Sequence, residues 1–290
     1  MYTARLTLPY TSDNDVDNLG SALDDSALSF SAEIHGKDPH KEWVVQWVFA
    51  DKPDAANLNQ QLGLNSTWDI EQLPQKDWLA ESYRGFEPFT IGQFFIYGSH
   101  FEGTVPEGLV GMQIDAATAF GSGEHGTTRG CIEAMIDLKS KGICPWNVLD
   151  MGTGSGILAI AAWNLWHTPI LAVDNDEEAT IVAARHRDLN KITGDKMGLS
   201  CDTGDGFKTP SVQARKPYDL VIANILAGPL IEMAAELKAV TDENGYVILS
   251  GLLQTQEADI LKAYEALGFV KKKHYHIGEW SALVLHNASA

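Results

Sequence analysis

Asp150-Met151-Gly152-Thr153-Gly154-Ser155-Gly156-Ile157-Leu158 is the stretch on which the fold turns. A short apolar run, Val148 to Asp150, ends in a carboxylate. Alternate glycines follow, and the chain then becomes helical and apolar from Ile157. Glycine lets a backbone approach a ligand closely because no Cβ intervenes. Ligands in open parallel sheets sit at the carboxyl ends of strands. The next apolar run, Ile170 to Asp174, ends in a second carboxylate 22 residues beyond Gly152. An acid there is placed to accept hydrogen bonds from two ribose hydroxyls. The reading is an adenosine-containing cofactor, with Gly152, Gly154 and Asp174 in contact with it.

The pattern repeats downstream. Leu220 to Asn224 and Tyr246 to Ser250 read as further apolar strands, and helices are expected near Ile157, Glu177, Pro229 and Gln254. Strands alternating with helices predict a parallel, doubly wound sheet. The end differs. Phe269 to Ile277 and Trp280 to His286 are consecutive strands joined by Gly278-Glu279, which predicts an antiparallel hairpin at one edge.

Toward the N-terminus the pattern is that of a smaller α+β unit. Strands are expected at Tyr2 to Leu8, Ala27 to Ile34 and Trp43 to Phe49. Helices are expected at Asp13 to Leu23 and at Pro53 to Leu62, the latter starting near Asp51. The order β-α-β-β-α supplies five elements of a ferredoxin-like unit, with no clear sixth strand. The expected organisation is a ferredoxin-like domain over 1–66, a linker over 67–85 and a larger α/β domain over 86–290. Phe86 to Tyr97 alternates like a strand pair at the start of the latter.

Two further segments carry chemistry. Ala223-Asn224-Ile225-Leu226-Ala227-Gly228-Pro229-Leu230 ends the fourth strand of the series. An amide there can face a ligand at the strand's end, or it can cap the helix near Pro229. Ala119-Phe120-Gly121-Ser122-Gly123-Glu124-His125-Gly126-Thr127-Thr128-Arg129 is rich in glycine and hydroxyls and runs into a helix expected over Arg129 to Leu138. It reads as a lid over the cofactor. His125 within it either touches substrate or caps the loop.

The glycine spacing separates cofactors. The nicotinamide fingerprint is G-x-G-x-x-G, whereas this chain has G-x-G-x-G followed by Ile157. The loop resembles the first motif of seven-stranded, class I S-adenosylmethionine-dependent methyltransferases, and the terminal hairpin suits that class. The Asn224 segment resembles a relaxed Asn-Pro-Pro-Tyr motif of amino-group methyltransferases. The combination is similar to the PrmA family, which methylates the eleventh, stalk-base protein of the large ribosomal subunit. AFGSGEHGTT stands here for the family's AFGTGTHPTT, DMGTGSGILAIAA for DxGCGSGILAIAA, and VIANILAGPL for VVANILAGPL. SGLL and GEWSAL stand for SGIL and EEWVAL.

The resemblance covers roughly Phe86 to Leu285 and implies a Rossmann-like seven-stranded sheet and S-adenosyl-L-methionine as cofactor. It places cofactor contacts on Thr128, Gly152, Asp174 and Asn224, with Phe120 near the adenine or methionine moiety. It implies methyl transfer to lysine side chains and the α-amino terminus of a ribosomal protein, with Asn224 placing the amine. The N-terminal unit then grips the substrate, and the linker lets it swing. Glu124, Gly126 and Thr153 depart from the family's Thr, Pro and Cys, which bears on the stiffness of the loops. The rival functions are methylation of another protein or a small molecule, a non-catalytic cofactor-binding assembly factor, and a nicotinamide oxidoreductase.

Composition narrows partners. The balance of 21 Lys+Arg against 39 Asp+Glu gives a net charge of −18, which opposes binding to a nucleic acid and favours a basic partner or simple solubility. The most apolar stretch, Gly156 to Trp166, is too short to span a bilayer. No basic segment precedes an apolar one at the N-terminus. Three scattered cysteines make no disulfide framework, so a reducing, cytoplasmic compartment is expected. No heptad pattern appears, and a monomer is expected. His274 and His276 alternate on one strand and share a face. Two ligands fall short of a metal site, and none is expected.

Overall fold

The computed structural model describes residues 1–9, 19, 23, 27, 29–35, 41–72, 87–115 and 126–288. The chain divides into two compact units, Met1–Ala80 and Glu81–Ala290.

In the first unit, β1 (Tyr2–Pro9), β2 (Ser29–His35), β3 (Glu42–Phe49) and β4 (Asp69–Gln72) form an antiparallel sheet in the order β2-β3-β1-β4. That is the strand order of a ferredoxin-like unit, with β1 and β3 central. β4 supplies the strand that the sequence did not show, and it lies inside the segment expected to be a linker. It pairs with β1 from Tyr2↔Gln72 to Arg5↔Asp69. Of its residues only Ile70 is apolar, and an edge strand paired on one side needs no apolar alternation. Trp43, Val45, Trp47 and Phe49 alternate along β3 into the core, where Ala4, Leu6, Leu58 and Trp68 meet them. The helix Ala55–Leu62 starts later than expected. Asp54, not Asp51, is its N-cap and accepts from the Asn57 N–H at 2.9 Å. The helix expected at Asp13 to Leu23 lies outside the described residues apart from Leu19 and Leu23.

The second unit carries a small sheet of β5 (Phe89–Ile91), β6 (Phe94–Tyr97) and β7 (Val110–Gln113). Its main sheet has seven strands: β8 (Val148–Met151), β9 (Ile170–Asp174), β10 (Leu199–Thr203), β11 (Tyr218–Asn224), β12 (Thr241–Leu253), β13 (Phe269–Ile277) and β14 (Trp280–Asn287). The order is β10-β9-β8-β11-β12-β14-β13. β8 to β12 pair in parallel, and β14 runs antiparallel between β12 and β13. The expected terminal hairpin is therefore present.

Both faces of this sheet are covered. One apolar cluster includes Ile132, Met135, Ile160 and Leu165; the other includes Val212, Leu230, Leu237, Ile260 and Tyr264. The helix Ile157–Trp166 buries Ile157 to Ala162 and Leu165, so it is apolar nearly all round. Each fully buried Leu or Ile contributes roughly 1.5–3 kcal/mol. From β8 the chain winds outward through β9 and β10, then returns to β11 on β8's other side. The crevice at the carboxyl ends of β8 and β11 is thus the topological switch point, where ligands bind in such sheets. Among the described residues no helix is long and apolar enough to cross a membrane.

Candidate active site

The glycine loop fills the mouth of that crevice. Gly152, Gly154 and Gly156 have φ of 70°, 53° and 79°, values that side chains rarely adopt. The loop is tied to the neighbouring strand. The N–H groups of Gly152 and Thr153 donate to the Val173 carbonyl at 2.8 and 3.0 Å. The Gly154 N–H donates to Asp174 Oδ2 at 2.9 Å, and the Asp176 N–H donates to Oδ1 at 3.1 Å. Buried His186 steadies the loop from the helix Glu177–Leu189. Its Nδ1 lies 2.7 Å from the Ser155 carbonyl, and its Nε2 is 3.1 Å from the Asp115 N–H. Donation to the carbonyl and acceptance from the amide fix a neutral tautomer. Burial, the largest influence, pushes the pKa of His186 below its usual range.

Asp150 is fully buried beneath the loop. Its Oδ2 accepts from Thr153 Oγ1 at 2.6 Å and from the Ala159 N–H at 3.1 Å. Among the described residues its Oδ1 has no partner. Burial raises the pKa from 3.8 to about 7, against the lowering effect of both hydrogen bonds; the nearby Asp174 charge adds to the rise. The hydroxyl of Thr153, one of the departures from the family pattern, thus has a use: it ties the loop to this carboxyl.

A pH dependence follows. The folded state holds the Asp150 proton more tightly than the unfolded chain. Its contribution is fully present below the ordinary pKa of 3.8 and is lost as pH rises through about 7. This group alone lowers stability by up to about 1.4 kcal/mol per pH unit across that window. Asp150→Asn keeps an acceptor for Thr153 and Ala159 and removes that slope. Urea midpoints across the window, compared with the unsubstituted chain, check it; equal slopes contradict it.

The far wall of the crevice comes from the end of β11. Asn224, Ile225 and Leu226 stand there, and Leu226 is 72% exposed. Gly251 of β12 packs behind Ile225 with φ +84°; a Cβ on it would lie 2.2 Å from the Ile225 carbonyl oxygen. Only glycine permits that approach. The helix Ala227–Glu232 has Leu226 as its N-cap, with no side-chain capping bond. Asn224 is therefore not the cap, and its amide makes no side-chain hydrogen bond among the described residues.

The third wall is the helix Gly126–Ser140, which begins three residues before the expected Arg129. Thr127 and Thr128 are therefore buried in its first turn and are not part of a loop. Trp280 at the start of β14 completes the enclosure.

These walls surround a cavity of about 380 Å³, within the roughly 300–1,000 Å³ range of small-molecule sites. Thr128, Gly152, Gly154, Asp174 and Asn224, each singled out in the sequence, line it together. Phe120 and His125, with the loop expected as a lid, lie outside the described residues. Thr127, Thr153, Asn175, Ile225, Gly251 and Trp280 also line the cavity. Of these, Thr127, Thr153, Ile225, Gly251 and Trp280 stand in segments the sequence had marked: AFGSGEHGTT, DMGTGSGILAIAA, NILAGPL, SGLL and GEWSAL. The place of Gly251 beside Ile225 is set by the pairing of β11 with β12. Asp174 is the one titratable side chain among the described lining residues.

A doubly wound sheet closed by an antiparallel hairpin, with a glycine cradle after one strand and a carboxylate after the next, defines a class I S-adenosylmethionine-dependent methyltransferase. The cradle fits that cofactor: it offers backbone unshielded by side chains, a carboxylate for ribose hydroxyls, and apolar walls.

Comparison with known proteins narrows the class. Residues 17–288 match the family described as ribosomal protein L11 methyltransferase (PrmA). The chain is 38% identical over 275 residues to the ribosomal protein L11 methyltransferase of Rhodopseudomonas palustris (strain BisB5), covering 93% of this chain and 91% of that one. It is 41% identical over 267 residues to that of Brucella suis (strain ATCC 23445 / NCTC 10510), covering 92% of each. The crystal structure of the ribosomal protein L11 methylase from Lactobacillus delbrueckii subsp. bulgaricus matches with TM-score 0.62 at 27% identity, covering 70% of this chain and 100% of that one. The chain belongs to the ribosomal protein L11 methyltransferase family, and its cofactor is S-adenosyl-L-methionine.

Proposed function

We propose that this enzyme methylates amine nitrogens, both lysine side chains and the α-amino terminus, of ribosomal protein L11. The substrate follows from the names of its relatives. The observation that carries the amine chemistry is Asn224, an uncommitted amide on the wall of a cavity whose described lining holds no base other than Asp174. When bound, S-adenosylmethionine supplies an electrophilic methyl group on a sulfonium.

The acceptor must be a neutral amine. A free lysine has a pKa near 10.4, so deprotonation at pH 7 costs about 4.6 kcal/mol. The apolar rim of Ile225, Leu226 and Trp280 lowers that cost by desolvating the ammonium form. Asn224 accepts a hydrogen bond from the amine and turns its lone pair toward the cofactor. Asp174 and the glycine loop hold the cofactor's adenosine side. Catalysis thus rests on proximity and orientation, which supply up to roughly 7–11 kcal/mol.

The first unit serves as the substrate-binding domain, and the enzyme acts as a cytoplasmic monomer. The net charge of −18 attracts a basic protein and speeds its encounter, an effect that salt weakens. The test is intact-mass measurement of purified L11 after incubation with the enzyme and S-adenosylmethionine. The expected result is a ladder of roughly 14-dalton steps, one CH₂ per methyl, absent with Asp174→Ala. An unchanged mass, with cofactor binding still measurable by calorimetry, moves the substrate to another protein or a small molecule, or makes the chain a non-catalytic factor.

A further inference from the structure

His274 and His276 share one face of β13. The fold brings them a third group that their spacing did not reveal. Glu257, the first residue of the helix Glu257–Glu265, turns its carboxylate toward both rings. Its Oε1 meets His276 Nε2, and its Oε2 lies 3.5 Å from His274 Nδ1. The two imidazoles stack with ring centroids 4.3 Å apart. One donor atom from each of the three residues lies within 4.8 Å of the others. The carboxylate is 14% exposed, whereas the imidazoles are 47% and 38% exposed, so the set has a buried base and an open mouth. Ser281 donates its hydroxyl to the same oxygen, Glu257 Oε1, at 2.6 Å and orients the carboxylate.

We propose that Glu257, His274 and His276 form a binding site for a borderline divalent transition-metal ion of the Zn²⁺ class, with the outward position left to water. Two imidazoles and one carboxylate are a donor set that such ions take, commonly with one open position. The hard ions Ca²⁺ and Mg²⁺ are disfavoured, because they require six or more oxygen ligands or bound waters. The ligands stand on a strand and a helix end and are already convergent. The Ser281 hydroxyl is the outer-shell partner that metal-binding carboxylates ordinarily have. The adjacent cation does not compete: Lys273 lies on the opposite face of the strand and pairs with Asp137 at 3.3 Å. A bound ion would fasten the helix Glu257–Glu265 to the terminal hairpin, whose residue Trp280 forms part of the cofactor cavity wall.

The experiment is calorimetric titration of the full, chelator-stripped chain with Zn²⁺ alone, in a Cys144→Ser background because that thiol is exposed. The expected result is one saturable site per chain and a Tm that rises with Zn²⁺. His274→Ala combined with His276→Ala abolishes both. Glu257→Gln, which retains an acceptor for Ser281, weakens binding at least about 10-fold, and Ser281→Ala does so by about 10–100-fold. Metal-free Tm values close to that of the parent chain show that the variants are folded, and Glu257→Gln serves if the double variant is not. The absence of a saturable site, or binding unchanged in the folded variants, overturns the proposal.

Discussion

Asp174→Ala is expected to weaken S-adenosylmethionine binding on the order of 100-fold, measured by calorimetry. An ionised carboxylate has about four acceptor positions. In this site two are taken by the Gly154 and Asp176 N–H groups, which leaves one on each oxygen for a ribose hydroxyl. Hydrogen bonds to a charged group contribute about 1.5–3 kcal/mol each, so losing two removes roughly 3 kcal/mol or more. The variant also frees the Gly154 N–H and so loosens the loop that the cofactor lies against. Asp174→Asn changes less. Its amide keeps one acceptor but must point its NH₂ at one of two backbone donors, so it also binds weakly. Affinity retained in both variants would remove Asp174 from the site.

Asn224→Ala is expected to lower kcat by about 100-fold while leaving cofactor affinity within a few-fold. The side chain sits on the cavity wall opposite the glycine loop, and its amide is not used in capping the helix beside it. Its role is to orient an amine, and misplacement of a reacting group by about 1 Å costs on the order of 100-fold. Asn224→Asp keeps the acceptor oxygen but adds a charge that favours the ammonium form of the substrate. Its rate should therefore recover only at a higher pH than the parent requires. Single-turnover rates over a pH series distinguish the two variants. A full rate in Asn224→Ala would show that the amide does not place the amine.

What was legible in the sequence follows from where the physics is local. β8, β9 and β11 are largely buried, so they carry short apolar runs, Val148–Leu149, Ile170–Val173 and Leu220–Ala223, each followed by a polar residue: Asp150, Asp174 and Asn224. The hairpin is marked by Gly278, with φ +58°, between two consecutive strand-like runs. β10 was not legible: it is an edge strand whose sequence, LSCDT, buries only Leu199. β12 runs from Thr241 to Leu253, beyond the expected Tyr246 to Ser250 at both ends. In the candidate site, Gly152, Gly154, Asp174 and Asn224 were legible because they end, or directly follow, strands that feed one crevice. Gly251 reaches Ile225 only through the pairing of β11 with β12. Glu257 meets His274 across 17 residues, and no helical or strand period links them.

The most direct test of the account is the structure of this chain with S-adenosylhomocysteine bound. The account predicts ribose hydroxyls within hydrogen-bond distance of both Asp174 oxygens, backbone contact along Gly152 to Gly154, and the sulfur facing the Asn224 amide. A ligand seated away from Asp174, or with its sulfur turned from Asn224, would contradict it.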